Sequence, residues 1–273
     1  MSAPQAAGGA VRPAAGSRRA TLAVVMMTKN EAHRLAACLD RVARWADEIV
    51  IIDDLSTDGT VEIARRYTDK IHAIASQDDH FAQWNRGIDR ASSDWVLHID
   101  ADEWVTPALR EAIDGVLRDD QGHSAFRLMR LNHFLGRPMR HGGWHHPHLI
   151  LFRRDRARCV GAGIHVRLEV QGSIGQLDAD IEHYPFDSIA QFIQRQNHYA
   201  AVDARVMVKE RGRIPMRTIL HQAAWRPWKL FRKFYYKKRA RRDGMVGLIF
   251  SALFAFTHFL LWAQVWEAQC DAR

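Results

Sequence analysis

The sequence is poor in cysteine, and its few cysteines form no pattern. Cys38, Cys159 and Cys270 are three in number, so they cannot all pair with one another, and none of their spacings suits a metal site. These features exclude a disulfide framework and a cysteine-based zinc site. They fit a protein that works in a reducing compartment.

A continuous apolar run is also missing from the N-terminus. Residues 1–20 are dominated by small residues, proline and glycine, and no apolar segment precedes their basic residues. We therefore predict a disordered tail over 1–20 and not a signal peptide. Internal repeats are lacking too. The length of 273 residues predicts one large domain or a domain with an appendage.

What the chain has in excess is positive charge. Its formal net charge is +8 and its pI about 9.7, so anionic partners are expected. Eight lysines and arginines lie between Lys229 and Arg242, beside the most apolar part of the chain. This placement favours an anionic membrane surface, and not nucleic acid, as the partner.

Short apolar runs alternate with helical patterns in the first hundred residues. The runs 21–28, 48–54 and 94–100 are typical of buried strands, and helices are predicted between them. This alternation predicts an α/β fold whose mostly parallel sheet is flanked by helices. More strands follow residue 125, and then a helix over 188–212 in which Tyr199 falls at a core-like spacing.

Polar clusters end three of these strands: TKNE at 28–31, DDLSTD at 53–58 and DADE at 100–103. Ligands of open parallel sheets bind beyond the carboxyl ends of the strands, so the three clusters together favour a nucleotide and metal site. On a continuing strand, Asp100 and Asp102 project to one side, about 7 Å apart. A divalent cation would turn their repulsion into attraction. The alternative, a solvated acidic turn, explains one such cluster better than three.

Together these motifs resemble glycosyltransferase family 2. The segments MTKNE, EIVIIDDLSTDGT and DWVLHIDADEW are similar to the family's arrangement on a GT-A fold. Later segments, LILFRR, IHV, EHYPF and FYYKKRARRDGMVGL, are similar to the branch of lipopolysaccharide core β-1,4-glucosyltransferases. The similarity extends over about 21–267. We therefore expect a GT-A catalytic domain over 21–210 and a basic, apolar helical extension over 211–273 that associates with a membrane.

The resemblance implies roles for particular residues. Those around the donor nucleotide would be Thr28, Asn30, Glu31, Asp54 and Asn85. Asp54 would hydrogen-bond the uracil or ribose. Asp100 and Asp102 would hold Mg²⁺ or Mn²⁺ on the donor diphosphate, where a metal stabilises the charge of the leaving group. His183 would help to hold this metal, with a packed core histidine as the alternative.

The resemblance fails at the general base. The branch usually has His-Glu where this chain has His165-Val166, so the expected carboxylate is missing. His165 can itself accept a proton near neutral pH, and we predict that it is the catalytic base. Glu169, Asp155 and Glu182 are the alternatives.

The histidine-rich segment 141–148 lacks the spacing of a zinc site. We interpret this segment as a flexible loop on the acceptor side. Trp144 is its candidate surface for stacking against a sugar.

The predicted protein is a metal-dependent, inverting hexosyltransferase. It would move a sugar, expected to be glucose, from a UDP-sugar to a glycolipid such as the lipopolysaccharide inner core. The expected place is the cytoplasmic face of the inner membrane. Two alternatives stay open. One is a degenerate protein that binds nucleotide sugars without turnover, and the other is a basic membrane-surface binding protein.

The segment 245–266 contains 22 residues without a formal charge. As a helix it would be about 33 Å long, enough to cross a membrane. A stripe of small and polar residues runs along it at helical spacing, formed by Gly247, Ser251, Ala255 and His258. A spanning helix buries such a stripe against another helix, and the chain has no second apolar segment of this length. We therefore predict an interfacial or shallowly inserted helix, with a buried core helix and a true span as alternatives.

Overall fold

The structure, a computed structural model, describes residues 18–76, 80–160 and 167–271. The strands are, in chain order, β1 (Leu22–Thr28), β2 (Glu48–Asp53), β3 (Ile71–Ala73), β4 (Trp95–His98), β5 (Glu103–Val105), β6 (Ala125–Phe134), β7 (Arg137–Pro138), β8 (His146–Arg153), β9 (Ala157–Val160), β10 (Arg167–Val170) and β11 (Ile174–Phe186). The α-helices are α1 (Leu35–Leu39), α2 (Thr60–Ala64), α3 (His80–Arg90), α4 (Pro107–Arg118), α5 (Ile189–Arg211), α6 (Met216–Arg232) and α7 (Gly244–Asp271).

Nine of these strands form one sheet in the order β3-β2-β1-β4-β8-β6-β11-β5, with β7 paired to β6. Strand β1 lies between β2 and β4 and runs parallel to both. Strand β8 runs antiparallel to β4 and to β6, so the sheet is mixed. The predicted α/β class is confirmed, with parallel pairing among the first four strands and again between β6 and β11.

The central strands are apolar along their length because side chains on both faces are covered. On β1, Val24 packs into the core that contains α1 and α4, whereas Val25 packs into the core that contains α3. Helix α3 comes very close to the sheet at Gly87, where a Cβ atom would lie 2.5 Å from Cγ1 of Val25. A glycine is therefore needed there for helix and strand to touch.

The C-terminal helices form a layer with cores of its own. Helix α7 packs against α5 and α6, and Ala204, Ile219, Trp262 and Val265 from the three helices are buried together. The predicted C-terminal helical extension is confirmed. The predicted boundary at residue 210 coincides with the end of α5, although α5 itself packs on α7.

The small and polar stripe of α7 faces the protein. Ser251 is fully buried, and Ala255 is 5% exposed. At Gly247 a Cβ atom would lie 1.8 Å from the carbonyl oxygen of Ala240. The Oγ of Ser251 donates a hydrogen bond to the carbonyl oxygen of Gly247. The stripe is thus covered within this chain, where the sequence had offered no second apolar segment to cover it.

The other face of α7 is apolar and exposed. Met245, Phe256, Phe259 and Trp266 have exposed fractions between 41% and 69%. Within the helical stretch Ala240–Cys270, the most apolar window of 18 residues has a mean hydropathy of 2.0, and 22% of that window is buried. Within the described residues it is the one helix long and apolar enough to cross a membrane, and the low buried share distinguishes it from a core helix.

Candidate active site

A cavity of about 890 Å³ opens at the carboxyl ends of β1, β2 and β4. Because β1 lies between the other two strands, the segments that follow all three strands meet there. The lining residues from these segments are Thr28, Lys29, Glu31, Asp54, Asp100 and Asp102. The three polar clusters of the sequence therefore meet at one edge of the sheet.

Two neighbouring aspartates at the end of β2 have different surroundings. Asp53 is buried and accepts hydrogen bonds from Oγ1 of Thr28 at 3.0 Å and from the backbone N–H of Ser56 at 2.8 Å. Asp54 accepts from Nζ of Lys29 and from the backbone and side chain of Ser76. Burial opposes ionisation of Asp54, but these hydrogen bonds hold its pKa below the usual value. Asp54 is thus an ionised acceptor in the cavity.

Two asparagines that are predicted at the donor form hydrogen bonds with the backbone. The Oδ1 of Asn30 accepts from the N–H of Thr57 at 2.8 Å. Asn85 uses both ends of its amide on the backbone of Cys159, at 2.9 and 3.0 Å. Neither side chain is among the described residues that line the cavity. The structure gives Asn30 a role in the loop after β1, and it uses Asn85 to join α3 to β9.

The acidic pair at the end of β4 is only partly neutralised. Burial, and then the neighbouring Asp102, raise the pKa of Asp100. Burial would also raise the pKa of Asp102, but His183, Arg34 and Arg195 hold it below its usual value. Repulsion within the pair therefore raises mainly the pKa of Asp100. A cation placed at the pair would relieve this repulsion.

Glu103, the third carboxylate of the cluster, braces the loop. One of its oxygens accepts from the backbone N–H of Asp100 at 3.1 Å, and the other lies 2.5 Å from Nη2 of Arg130. Burial raises the pKa of Glu103 to about 8, against the attraction of Arg130. Glu103 is 1% exposed and so holds the loop from behind the cavity.

His183 points one ring nitrogen toward the acidic pair. Its Nε2 lies 3.5 Å from Oδ2 of Asp102, and its Nδ1 lies 2.5 Å from Oδ1 of Asn132. Asn132 donates through Nδ2 to the carbonyl oxygen of Trp144, so its Oδ1 is the acceptor and His183 must donate from Nδ1. In the neutral ring this leaves the Nε2 lone pair facing Asp102.

The sequence did not reveal Arg195, a cation of α5 that lines the cavity. Its guanidinium donates to the hydroxyl of Tyr199 at 3.1 Å and to the carbonyl oxygen of Pro185. Tyr199 also lines the cavity and is 47% exposed, so its prediction as a core residue is wrong. The signal was the spacing of four between the two residues, which brings their side chains together on one helix face.

The predicted base, His165, lies outside the described residues. Of its alternatives, Glu169 pairs with Arg167 at 2.6 Å, Glu182 accepts from the hydroxyl of Tyr184, and Asp155 is exposed on a turn. None of these three carboxylates lies among the described residues that line the cavity.

Glu31 is a carboxylate that does line the cavity. It lies 3.5 Å from Nε of Arg34. Burial raises the pKa of Glu31 to about 7 in spite of this arginine. Glu31 can therefore gain or lose a proton near neutral pH, a property that the sequence did not indicate.

Trp144 packs inside the protein. Its ring lies 4.6 Å from that of Phe250 and 5.7 Å from that of Phe254, both on α7. It also contacts Phe134 and Phe186 at the end of the sheet. Trp144 is partly buried by these rings and is not among the described residues that line the cavity, and a sugar-stacking surface there stays a prediction.

The sequence of the sheet region carries the family signature. A sequence model of glycosyl transferase family 2 matches residues 23–167, which is more than half of the chain. The chain belongs to glycosyltransferase family 2. The predicted family is thereby confirmed, and with it the GT-A type of α/β fold.

Two curated relatives match almost the whole family 2 chain. An uncharacterized glycosyltransferase of Rickettsia typhi is 25% identical over 264 residues, which cover 92% of this chain and 89% of the relative. The lipopolysaccharide core biosynthesis glycosyltransferase LpsC of Rhizobium meliloti is 25% identical over 260 residues, which cover 90% and 92%.

Two solved structures are also similar, at lower identity. One is TarS of S. aureus in complex with UDP, with 13% identity, a TM-score of 0.45, and coverage of 93% of this chain and 92% of that one. The other is glucosyl-3-phosphoglycerate synthase of Mycobacterium tuberculosis with Mg²⁺ and UDP, with 15% identity, a TM-score of 0.44, and coverage of 72% and 81%.

The acidic pair suits the divalent metal that the family resemblance implies. Asp100 and Asp102 are hard oxygen donors, and burial and the neighbouring Asp102 raise the pKa of Asp100. The neutral ring of His183 presents a nitrogen lone pair to Asp102. The described residues do not already gather three such ligands around one point.

Proposed function

We propose that this family 2 enzyme is an inverting hexosyltransferase that uses a UDP-sugar, with glucose as the sugar and a glycolipid such as the lipopolysaccharide inner core as the acceptor. The observation that carries the proposal is the single cavity shared by the segments after β1, β2 and β4. Similarity to LpsC over 92% of that relative's length supports the acceptor class.

In this proposal the donor diphosphate lies over the acidic pair. Asp100, Asp102 and His183 would hold Mg²⁺ or Mn²⁺, which neutralises the charge of the leaving diphosphate. Asp54, held ionised by Lys29 and Ser76, would accept hydrogen bonds from the uracil or ribose.

Arg195 supplies a fixed positive charge on the same side of the cavity. Its partners on α5 and at the end of β11 orient the guanidinium in advance, so it can stabilise the leaving diphosphate without rearranging. Arg195 is therefore the residue outside the sequence motifs that we assign to the leaving group.

An inverting displacement also needs a base at the acceptor hydroxyl. The acceptor oxygen attacks the anomeric carbon on the side opposite UDP, and its proton passes to the base. We keep His165 as the first candidate and add Glu31, since its pKa of about 7 suits a group that takes up a proton at neutral pH.

The C-terminal layer supports a location at the cytoplasmic face of the inner membrane. The exposed apolar face of α7 lies next in sequence to the eight cations between Lys229 and Arg242. Together an apolar face and a cluster of cations give a reversible attachment to an anionic bilayer. We propose a peripheral association of this kind.

The proposal is tested by the effect of UDP and metal on the melting temperature of the whole chain. At a UDP concentration of about 100 Kd, binding adds about 2.7 kcal/mol to the free energy of unfolding. For a chain of this size, that is a shift of about 5–10 °C. We expect the shift with Mg²⁺ or Mn²⁺ and little of it with a chelator. UDP-glucose hydrolysis, and transfer to a lipid extract, then test turnover.

Three results would contradict parts of the proposal. Equal stabilisation by UDP with metal and with chelator would exclude the metal–diphosphate arrangement. Stabilisation without any hydrolysis or transfer would identify a binding protein that has lost catalysis. A strong preference for another nucleotide would exclude the uridine donor.

A further inference from the structure

A second cavity, of about 850 Å³, lies on α6 and on the π-helical turn Lys233–Lys237 that continues it. Its lining consists of Trp225, Trp228, Lys229, Arg232, Lys233, Tyr236 and Lys237. We call it the basic–aromatic groove. It contains three aromatic side chains and four cations, and it is separate from the cavity at the sheet.

The groove follows from the helical spacing of α6. Its residues recur at intervals of three and four and so share one face of the helix. Ile219 packs on α7 from α6, and Trp228, nine residues later, lies about 180° around the helix from it. The groove therefore lies on the exposed side of α6, outside the contact of Ile219 with α7.

The positive charge in the groove has no acidic counterpart nearby in the chain. Residues 211–242 contain no aspartate or glutamate, and every charged side chain that lines the groove is a cation. The Nζ of Lys229 lies 5.5 Å from the centre of the Trp225 ring. Like charges gathered in this way repel one another, and an anion in the groove would relieve that repulsion.

The aromatic side chains indicate which kind of anion fits. Trp225, Trp228 and Tyr236 are 47%, 52% and 54% exposed. Tryptophan and tyrosine are enriched at the interface of a bilayer, where one end of the ring is apolar and the other is hydrated. The neighbouring helix α7 exposes Phe256 and Phe259, which a bilayer would cover.

We propose that the basic–aromatic groove binds the phosphate headgroups of anionic lipids in a bilayer. Its cations would contact the phosphates, and its aromatic rings would lie at the level of the headgroups. The inference rests on the membrane association in the proposed function and adds the site that recognises the lipid. It orients α6 with the groove toward the bilayer and the Ile219 face toward the protein.

The test measures binding of the full chain to vesicles of phosphatidylcholine with and without phosphatidylglycerol. The groove variant is R232Q/K233Q. Its matched control is R65Q/R66Q at the end of α2, an adjacent and exposed pair of arginines on the sheet domain. Each cation beside an anionic surface changes partitioning about five-fold. We expect about 25-fold weaker binding of the groove variant to phosphatidylglycerol vesicles, and less than about two-fold for the control.

Several outcomes would overturn the inference. Equal losses in both variants would mean that net charge alone attracts the chain. Release by inorganic phosphate beyond the release by chloride at equal ionic strength would identify a free-phosphate site. Tighter binding of single-stranded RNA than of vesicles, lost in the groove variant, would identify a nucleic-acid site.

Stabilisation by UDP and Mg²⁺ tests the proposed function separately from vesicle binding. We expect UDP and Mg²⁺ to stabilise the groove variant as they stabilise the unmodified chain, because the groove and the catalytic cavity share no lining residue. Loss of vesicle binding with intact UDP stabilisation would support the groove. Intact vesicle binding in the groove variant would overturn the groove and leave the catalytic proposal standing.

Discussion

The cavity at the sheet and the C-terminal helical layer differ in whether their charged side chains have partners and in how far their apolar side chains are exposed. Around the cavity most charged groups have partners: Asp54 is bonded to Lys29, and Glu103 is paired with Arg130. In the helical layer, Trp225 and Trp228 are about half exposed, beside cations that have no acid near them in sequence.

This difference fits the two kinds of partner that we propose, a nucleotide sugar and an anionic bilayer. A site for a small polar substrate positions a few charged groups by hydrogen bonds, as Asp54 and Arg195 are positioned here. A site for an extended surface needs no such positioning, because it gains from total charge and apolar area. The two proposed partners would thus be bound by separate regions of one chain of 273 residues.

The largest effect on the cavity, with none expected on the helical layer, should come from Asp100→Asn in the acidic pair. We expect turnover to fall by about 10³-fold, since a metal at the diphosphate contributes several kcal/mol and each 1.36 kcal/mol is tenfold. Burial raises the folded-state pKa of Asp100 above its unfolded value. The ionised carboxyl therefore lowers the free energy of unfolding at neutral pH. This destabilisation disappears below the pKa that Asp100 has in the unfolded chain.

The apo melting temperature of Asp100→Asn should accordingly be unchanged or higher. Asp102→Asn is the matched control. It loses the contacts to Arg34 and His183 at 3.5 Å, and it should lower the apo melting temperature as well as the turnover. A variant Asp100→Asn with full turnover would exclude the acidic pair from catalysis.

The next largest effect distinguishes the two candidate bases. The base, when removed, should cost about 10²–10⁴ in turnover with UDP binding retained. We compare His165→Ala with Glu31→Gln, and expect only one of them to fall by this amount.

The pH dependence separates the two candidates further. If Glu31 is the base, turnover of the unmodified enzyme falls as the pH drops below about 7, because the carboxyl becomes protonated. This limb of the profile should disappear in Glu31→Gln. A retained limb in that variant would assign the titration to another group and favour His165.

A smaller effect compares two glycines, one in each region. Gly247→Ala brings a Cβ atom against the backbone of Ala240 and should lower the free energy of unfolding by about 1–3 kcal/mol. Gly115 lies inside α4, and a Cβ atom added there would meet nothing within 4 Å, so Gly115→Ala should add about 0.5–1 kcal/mol. Thermal or denaturant unfolding measures both. Equal effects would mean that α7 does not approach Ala240 as closely as the structure has it.

The sequence predicted the strand ends and the acidic pair because their signals are local. A buried strand followed by turn residues and carboxylates is contained in a dozen consecutive residues, as in 94–103. It did not predict Arg195, because this residue reaches the cavity only through the fold. The sequence named Asn85 but not its contact, since its partner Cys159 is 74 residues away.

Helix α7 shows the same limit in another form. Hydropathy located the helix and its stripe of small residues, but it could not show which helices cover that stripe. The partners of α7 are α5 and α6, of which α6 carries many cations and has only one buried residue, Ile219. The average composition of α5 and α6 does not reveal the few apolar positions through which these helices contact α7.

The packing of Trp144 joins the helical layer to the end of the sheet. Trp144 rests on Phe250 of α7, and its carbonyl oxygen accepts from Asn132, whose other end holds His183. We expect a chain shortened at residue 210 to uncover the ring of Trp144, which packs on Phe250 and Phe254 of α7. The helical layer and the end of the sheet that carries His183 thus share one core, in which Phe134 and Phe186 pack with Phe250.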